Sequence, residues 1–373
     1  MIVTTEILPI GLLTPIAADF RVSEGTAGLM MTIPGLIAAA AAPLVTVSTG
    51  RFDRRTMLYL LLALLAVADF LAVVAPSYWI ILASRALVGL TIGGFWSIGA
   101  GLAARLVAAR HVATATAVIF SSVPLGSVLG VPLGTYLGQL AGWRTSFLVM
   151  GLLTAVVAAA LAVLLPALPA LRVTRPALLL GLLRHSGARL GLVLTFLVVL
   201  AHFATYTYVT PFLEQVTRLS PGTISAFLLV YGAAGMAGNF LAGWGIARSL
   251  PRTFLTCGSL LALVLVLLPI LGASNGPALG LLVVWGLAYG AVPVCSQSWF
   301  VASAPDTPEA ATVLFTSSFQ LTICVGALVG GLIVDAASTS AVMGIGAAPA
   351  IVMVVVLWLM RRADRIGEPV RAS

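Results

Sequence analysis

Four ionisable side chains lie inside long apolar runs of this chain: Glu6, Asp69, Arg85 and His202. A charged group near the centre of a lipid bilayer costs about 2.5–3.5 kcal/mol on insertion scales, so each of the four needs a physical reason to be there. Burial favours the neutral form of a carboxyl or imidazole group, and a neighbouring opposite charge favours the charged form. Groups balanced in this way can exchange a proton near neutral pH, which makes the four residues candidates for proton coupling.

Glu6 and His202 are 196 positions apart, which is the spacing of an internal repeat described below. We therefore expect both side chains to face one central cavity. Each also has a simpler interpretation. Glu6 lies near the start of its run and can extend to the membrane interface, whereas His202 can be a neutral imidazole that is hydrogen-bonded between helices.

Arg85 and Asp69 also have two interpretations each. A buried arginine such as Arg85 serves either in proton coupling or in a structural ion pair. Asp69 lies two-thirds of the way along its apolar run, so its carboxylate can simply meet water. We rank Asp69 below the other three candidates for this reason.

The elements that position these residues are membrane-spanning helices. Hydrophobic residues make up 61% of the 373 residues and charged ones 8%, against about 25% charged in a soluble domain. The apolar runs are about 20 residues long, which at about 1.5 Å per residue matches a hydrocarbon core of about 30 Å. Barrel strands would instead alternate in polarity over about 10 residues. We predict an all-α membrane protein with twelve transmembrane helices, whose outer surface contacts the lipid bilayer.

The distribution of arginine explains the net charge of +8 without a nucleic-acid partner. With twelve spans, fifteen arginines fall on one side of the membrane and three fall on the other, namely Arg21, Arg144 and Arg218. Arg85 is left within the membrane. The positive-inside rule then places both termini in the cytoplasm.

A stretch rich in proline and arginine divides the chain into two related halves. The repeat pairs, at an offset of 197 or 196, are Arg51/Arg248, Arg55/Arg252, Gly89/Gly286, Gly93/Gly290, Gly130/Gly326 and Gly134/Gly330. We predict an N-terminal six-helix bundle over residues 1–166, a cytoplasmic linker over 167–189 and a C-terminal six-helix bundle over 190–373. Six helices per half give both halves the same orientation, so a pseudo-two-fold axis runs along the membrane normal. The substrate site is expected between the repeats.

Three smaller expectations concern the start of the chain and its cysteines. The first apolar run begins at Ile2 and has neither a basic segment nor a cleavage site, which argues against a signal peptide. It is short for a span, so we expect a ragged helix start or, in preference, a start codon upstream. The cysteines, Cys257, Cys295 and Cys324, have no paired spacing, and we interpret them as packing residues.

Several strings in the chain resemble one family. These are Thr4 to Leu13 in the first run, Gly50 to Arg55 after the second, Arg85 to Gly89 in the fourth, the set Gly126, Gly130, Pro132, Gly134 and Gly138 in the fifth, and His202 to Leu213 in the seventh. Together they resemble the major facilitator superfamily, and in particular its bacterial proton-coupled drug and sugar efflux branch (arabinose-efflux-permease-like). The resemblance covers essentially the whole chain.

The resemblance implies roles for particular residues. It implies proton coupling for Arg85, an association of the helix 5 glycine set with export, and gating of the cytoplasmic side by one loop and its repeat. The gating residues would be Gly50, Arg51, Asp53, Arg54, Arg55, Arg248 and Arg252. Family members usually have an acidic residue before the first arginine of the loop. Gly50 and Ala247 stand at those two places here, so Asp53 is expected to substitute in part.

Five residues with aromatic or amide side chains are candidates for lining a substrate cavity. They are Phe95, Trp96, Tyr206, Tyr208 and Gln297. The alternative for the aromatic members is an interfacial belt, where tyrosine and tryptophan are enriched in membrane proteins.

We expect a secondary active transporter: a proton-coupled antiporter that exports a small organic solute across the bacterial inner membrane by alternating access. It is expected to act as a monomer without a cofactor or a metal. Uptake by the same fold is the alternative, and only the helix 5 set separates the two. An integral-membrane enzyme is disfavoured, because Asp306 and Glu309 are the one acidic pair in a cytoplasmic loop. A non-transporting sensor of this fold stays open, and sugars, sugar-like inducers, amphenicol-type drugs and purines all fit the resemblance.

Overall fold

The computed structural model describes residues 1–48, 52–108, 111–168, 181–304 and 308–367, and most of these residues are helical. In chain order the helices are α1 (Ile2–Phe20), α2 (Glu24–Ala27), α3 (Leu29–Ser48), α4 (Arg54–Val73), α5 (Tyr78–Leu106), α6 (Val112–Ala141), α7 (Trp143–Leu164), α8 (Ser186–Tyr206), α9 (Val209–Gln215), α10 (Pro221–Leu271), α11 (Asn275–Ser303), α12 (Pro308–Ala336) and α13 (Thr339–Gly367).

The helices have the length and apolarity of membrane spans. Within the described residues, ten helical stretches meet both criteria, and α2 and α3 together form one of them. α10 is 51 residues long and contains two spans, because the backbone of Ser249 is extended (φ −167°, ψ 104°) and Pro251 follows without an N–H to donate. α6, with 30 residues, supplies the remaining span. The predicted all-α fold of twelve transmembrane helices in two six-helix bundles is therefore confirmed.

The internal repeat is visible as matched helix packing. A Cβ atom at Gly89 would lie 2.6 Å from the carbonyl oxygen of Pro34, so α5 touches the backbone of α3 there. At the repeat position, Gly286 on α11 is pressed equally tightly against the carbonyl of Tyr231 on α10. The glycines that recur in the sequence thus mark the same close helix contact in both halves.

The helix 5 glycine set packs α6 against α1 within the N-terminal half. Gly126 and Gly130 approach Val3 and Thr4, and Gly134 and Gly138 approach Leu8 and Leu12 in succession along α1. The residue between them, Pro132, is buried inside α6. Lacking an N–H, it leaves one carbonyl of the preceding turn without its helical partner, and a helix can bend at such a position. In the other half, α12 packs against α8 through Gly326 and Gly330.

The two halves meet along a seam in which α3 packs against α12 and α6 packs against α10. A Cβ atom at Gly35 would lie 2.8 Å from the carbonyl oxygen of Gln320, and one at Gly232 would lie 2.7 Å from the Cα atom of Val128. Between α1 and α9, the hydroxyl of Thr210 donates to the carbonyl of Ile10 at 2.9 Å. Small residues therefore bring the halves into backbone contact.

Polar bonds join the halves at the end of the molecule that has few arginines. The carboxylate of Asp335, at the end of α12, accepts from the Ser23 hydroxyl at 2.7 Å and from the Gly25 N–H at 2.9 Å. The Gln215 amide donates to Glu24 at 2.7 Å. Because these bonds connect α2 with α9 and α12, this end of the seam is closed.

At the opposite end, the predicted gating residues mostly bond within their own half. Asp53 caps α4 by accepting from the Arg55 N–H at 2.7 Å, and it also accepts from the Leu168 N–H at 3.2 Å. Arg55 Nη2 donates to the carbonyl of Ala162 at 2.9 Å, and Arg54 Nη1 lies 3.1 Å from the Met57 sulfur. These bonds tie α4 to the chain that leaves α7.

The repeat copy of this loop is arranged differently. Arg248 stacks on Trp244, with 3.3 Å between its guanidinium carbon and the ring centroid, and Arg252 is exposed. Gly50 and Arg51 lie outside the described residues. Of the cysteines, all three are buried and free, and Cys257 and Cys295 lie side by side on α10 and α11, a proximity that their spacing did not predict.

We predict that Gly290→Ala lowers the temperature at which the protein unfolds in detergent. A Cβ atom at Gly290 would collide with the backbone of Gly235, whereas one at Gly280, on the same helix, would meet open space. Gly280→Ala is the matched control, and it should leave stability unchanged or raise it, since alanine favours a helix by about 1 kcal/mol over glycine. Thermal unfolding followed by size-exclusion chromatography measures both variants, and equal shifts would contradict the packing described.

Candidate functional site

All four ionisable candidates are buried in the interior of the molecule. Glu6 is 7% exposed, and Asp69, Arg85 and His202 are at or below 1%. Glu6 therefore does not extend to a membrane interface, and Asp69 does not meet water, which were the simpler interpretations of these two residues. Three of the four belong to the N-terminal half and His202 belongs to the C-terminal half, so the charges are unevenly divided.

Arg85 connects three helices through main-chain carbonyls. Its Nη2 donates to the carbonyl of Glu6 on α1 at 2.8 Å, and its Nε donates to the carbonyl of Met30 on α3 at 3.2 Å. Its Nη1 is buried without a partner among the described residues. The side chain lies within electrostatic range of both Asp69 and Glu6, but carbonyl groups, rather than a carboxylate, hold it in place.

Asp69 on α4 is only partly satisfied. The hydroxyl of Thr5 on α1 donates to its Oδ2 at 3.4 Å, which is a long bond, and its Oδ1 is buried without a partner among the described residues. A buried carboxyl oxygen without a donor is costly. Asp69 Oδ1 and Arg85 Nη1 are thus two buried polar atoms of the same interior region that have no hydrogen-bond partner among the described residues.

Glu6 has its side-chain partner in the opposite half. The amide Nε2 of Gln320 on α12 donates to Glu6 Oε1 at 3.0 Å. Both residues are buried, so this bond crosses the seam away from water. Because its two residues lie on α1 and α12, a relative movement of these helices would stretch or break the bond.

His202 is fixed inside the C-terminal half by aromatic neighbours. The indole Nε1 of Trp285 on α11 donates to His202 Nδ1 at 3.0 Å. A ring nitrogen that accepts a hydrogen bond carries no proton, so the imidazole is neutral with its proton on Nε2. The ring stacks on Tyr206 (centroids 4.9 Å apart) and on Tyr289 (3.2 Å). This matches the simpler interpretation of His202, a neutral imidazole bonded between helices.

Glu6 and His202 do not touch, and Tyr289 lies between their two groups. Its ring stacks on His202, and it is close enough to Glu6 to interact electrostatically. Its hydroxyl is buried without a partner among the described residues. The interior site therefore consists of Asp69, Arg85 and Glu6 on one side and the His202 cluster on the other.

The five predicted cavity residues separate into different places. Tyr206 belongs to the His202 cluster. Tyr208 is buried near the closed end, where its hydroxyl donates to the carbonyl of Ala327 at 2.8 Å and packs against Gly28. Phe95 and Trp96 pack edge to face, with centroids 5.3 Å apart. Gln297 is half-buried on α11, two turns beyond Tyr289.

Sequence reasoning did not single out Gln320, Trp285 or Tyr289. Gln320 is a lone amide in an apolar run, so the argument applied to Glu6 would have found it. Trp285 and Tyr289 are four residues apart and share one face of α11, but tyrosine and tryptophan on a membrane helix are equally typical of an interfacial belt. Within the described part of the chain, no group of three or more His, Cys, Asp or Glu side chains could hold a metal ion.

The comparison with known proteins decides the family. The sequence profile of the Major Facilitator Superfamily matches residues 1–313. The chain belongs to the Major Facilitator Superfamily. It is accordingly a multi-pass membrane transporter of this superfamily, and the resemblance noted in its motifs is confirmed.

Curated superfamily relatives cover most of the chain. The purine ribonucleoside efflux pump NepI of Salmonella paratyphi A is 33% identical over 337 residues, which are 90% of this chain and 84% of that protein. The transcription regulatory protein OpdE of Pseudomonas aeruginosa is 36% identical over 341 residues, with the same coverage of 90% and 84%.

Two solved structures show the same fold. The nucleoside transporter NupG superposes with a TM-score of 0.77 at 12% identity, covering 96% of this chain and 97% of that one. The human organic anion transporter MFSD10 superposes with a TM-score of 0.68 at 18% identity, covering 95% and 97%.

We predict that Arg85→Ala destabilises the protein much more than Arg144→Ala. Removing Arg85 takes the side-chain donor from the buried carbonyls of Glu6 and Met30, and the Met30 carbonyl also lacks its usual helical donor because Pro34 has no N–H. A buried carbonyl without a donor costs about 1–3 kcal/mol. Arg144 pairs with Asp19 at 2.6 Å, but its side chain is 41% exposed, and exposed pairs contribute about 1 kcal/mol or less. Thermal unfolding in detergent compares the two variants, and a larger shift for Arg144→Ala would contradict the clamping role of Arg85.

Proposed function

We propose that the protein is a proton-coupled antiporter that exports a small organic solute, and that Glu6 is the group at which proton and solute compete. The observation that carries the proposal is the buried hydrogen bond between Glu6 and Gln320, 3.0 Å long, which joins the two halves. A carboxylate can only accept hydrogen bonds, whereas a protonated carboxyl group can also donate one. Protonation of Glu6 therefore changes which hydrogen bonds α1 and α12 can form with each other across the seam.

Arg85 links this titration to the backbone. Because its guanidinium binds the carbonyl of Glu6 itself, a shift of Arg85 moves the turn of α1 that carries the carboxyl group. Asp69 supplies a second carboxylate within electrostatic range. Arg85 therefore keeps an anionic neighbour when Glu6 is neutral. Arg85 Nη1 and Asp69 Oδ1, which are buried without partners among the described residues, can then bond to each other.

The proposed working parts are the predicted units, residues 1–166 and 190–373, joined by the linker 167–189 and rocking about the seam as one monomer. The positive-inside rule supports an inner-membrane orientation with both termini in the cytoplasm. In that orientation the end closed by Asp335, Ser23 and Gly25 faces outward. Export then requires these bonds to break after the solute has entered from the cytoplasm. The packing of Gly126 to Gly138 against α1 supports a flexing contact within the N-terminal half.

Purine ribonucleosides are the solute class that we propose to test first. Their export is named for a relative that is 33% identical over most of the chain. The aromatic cluster around His202 supports this choice, because stacked aromatic side chains bind flat heterocyclic rings.

We predict that inverted membrane vesicles containing the protein accumulate tritiated inosine when their interior is made acidic. Glu6→Gln should abolish gradient-driven accumulation while inosine still equilibrates across the membrane, since glutamine cannot carry the proton. Glu214→Gln, which changes an exposed carboxylate at the closed end, is the control and should behave as the wild type.

Accumulation that ignores the pH gradient, or that survives Glu6→Gln unchanged, would contradict the proposed coupling. Accumulation in right-side-out vesicles under an inward proton gradient, without any in inverted ones, would favour uptake instead.

A further inference from the structure

Four aromatic rings of the C-terminal half form one continuous stack. Tyr231 stacks on Tyr206 (centroids 4.6 Å apart, planes 25° apart), Tyr206 on His202 (4.9 Å, 21°) and His202 on Tyr289 (3.2 Å, 5°). We call this set the ring column. Its members come from α10, α8 and α11, so the column joins three helices of one half.

Trp285 holds the ring column from the side. Its ring meets Tyr231, Tyr206 and His202 edge to face, at centroid distances between 5.7 and 6.0 Å. Its N–H also fixes the His202 ring in its plane through Nδ1. Edge-to-face contact is a favoured arrangement of aromatic rings, so Trp285 stabilises the ring column in its stacked form.

The two ends of the ring column differ. Tyr231, Tyr206 and His202 are buried, but Tyr289 is only half-buried. The hydroxyl of Tyr289 is nevertheless buried and has no partner among the described residues. A ring that is partly accessible, beside an unsatisfied hydroxyl close to Glu6, is an incomplete arrangement that a ligand can complete.

Two more buried hydroxyls lie along the same helix faces. Ser296 follows Tyr289 by seven residues on α11, and Thr195 precedes His202 by seven on α8, so each lies two turns away on the same face. Both are buried without a partner among the described residues. Both lie toward the arginine-rich end, which is the proposed entry side. Hydroxyl groups without partners among the described residues therefore lie on the arginine-rich side of the ring column.

We propose that Tyr289 is the stacking platform of a substrate subsite that takes a flat, uncharged heteroaromatic ring with hydrogen-bonding substituents, as in a nucleobase. The ligand ring adds to the half-buried Tyr289 end of the ring column, and a polar ring substituent bonds the Tyr289 hydroxyl. This inference rests on the proposed export function and names the recognition element of the same site. Its position next to Glu6 gives a direct route for competition between ligand and proton.

The test is equilibrium binding of tritiated inosine to the full-length protein in detergent, without any gradient, so that recognition is measured apart from coupling. Unlabelled hypoxanthine should displace inosine, and ribose should not. Tyr289→Leu, which removes the ring, should weaken inosine binding about tenfold to a hundredfold, the usual range for one base stacked on an aromatic side chain. Tyr289→Trp should retain binding, and Tyr289→Phe should lose less than Tyr289→Leu.

The matched control is Tyr136→Leu, which removes a tyrosine that is 53% exposed on α6 and should leave binding unchanged. If Tyr289→Leu fails to fold, Tyr289→Trp and Tyr289→Phe still test the subsite, provided that both unfold at the wild-type temperature. Unchanged binding in Tyr289→Leu, or weakened binding in both folded ring-retaining variants, would overturn the subsite while leaving gradient-driven export intact. Displacement by ribose but not by hypoxanthine would also overturn it.

Discussion

A carboxyl group that is buried away from water must form its hydrogen bonds within the protein. The side-chain partner of Glu6 lies in the opposite half of the molecule. Its bond with Gln320 is 3.0 Å long and buried. In a membrane interior, a polar bond that is lost is not replaced by water. We therefore propose that the relative position of the two halves depends on the protonation state of this one side chain. Arg85, which binds carbonyls of α1 and α3, connects the same region to the backbone.

The two halves have the same helix packing but different functional side chains in their interior. Glycines at repeat positions, such as Gly89 and Gly286, make the same close contacts in both halves. The interior polar residues differ between the repeats: Glu6 corresponds to His202 at the offset of 196, and at the offset of 197 Arg85 corresponds to Leu282 and Tyr289 to Ile92. The N-terminal half thus holds the charges and the C-terminal half holds the stacked rings. This division supports the proposed site, in which Glu6 of one half binds the proton and Tyr289 of the other half binds the flat, neutral ring of the solute.

The fold could be predicted from the sequence because lipid imposes simple rules: apolar runs must be long enough to span, and arginines collect on one side. The cost of placing ionisable groups in the membrane singled out Glu6, Asp69, Arg85 and His202 as candidates, but it left open whether Glu6 reaches the membrane interface and whether Asp69 meets water. Their partners could not be predicted in the same way. A helix that is apolar all round gives no periodic signal for the face it turns inward, so the side of α11 that carries Trp285 and Tyr289 required coordinates. The partners of the loop residues were also not predictable from the sequence. Asp53 and Arg55 bond to the end of α7 and to the chain that follows it, and no spacing in the sequence indicates these contacts.

The most direct test of the account is whether substrate binding expels a proton from Glu6. Purified protein in weakly buffered detergent solution is mixed with inosine, and the pH is followed with an indicator dye. The account predicts proton release by the wild-type protein and none by Glu6→Gln at matched occupancy. Binding without proton release in the wild type, or equal release in Glu6→Gln, would contradict it.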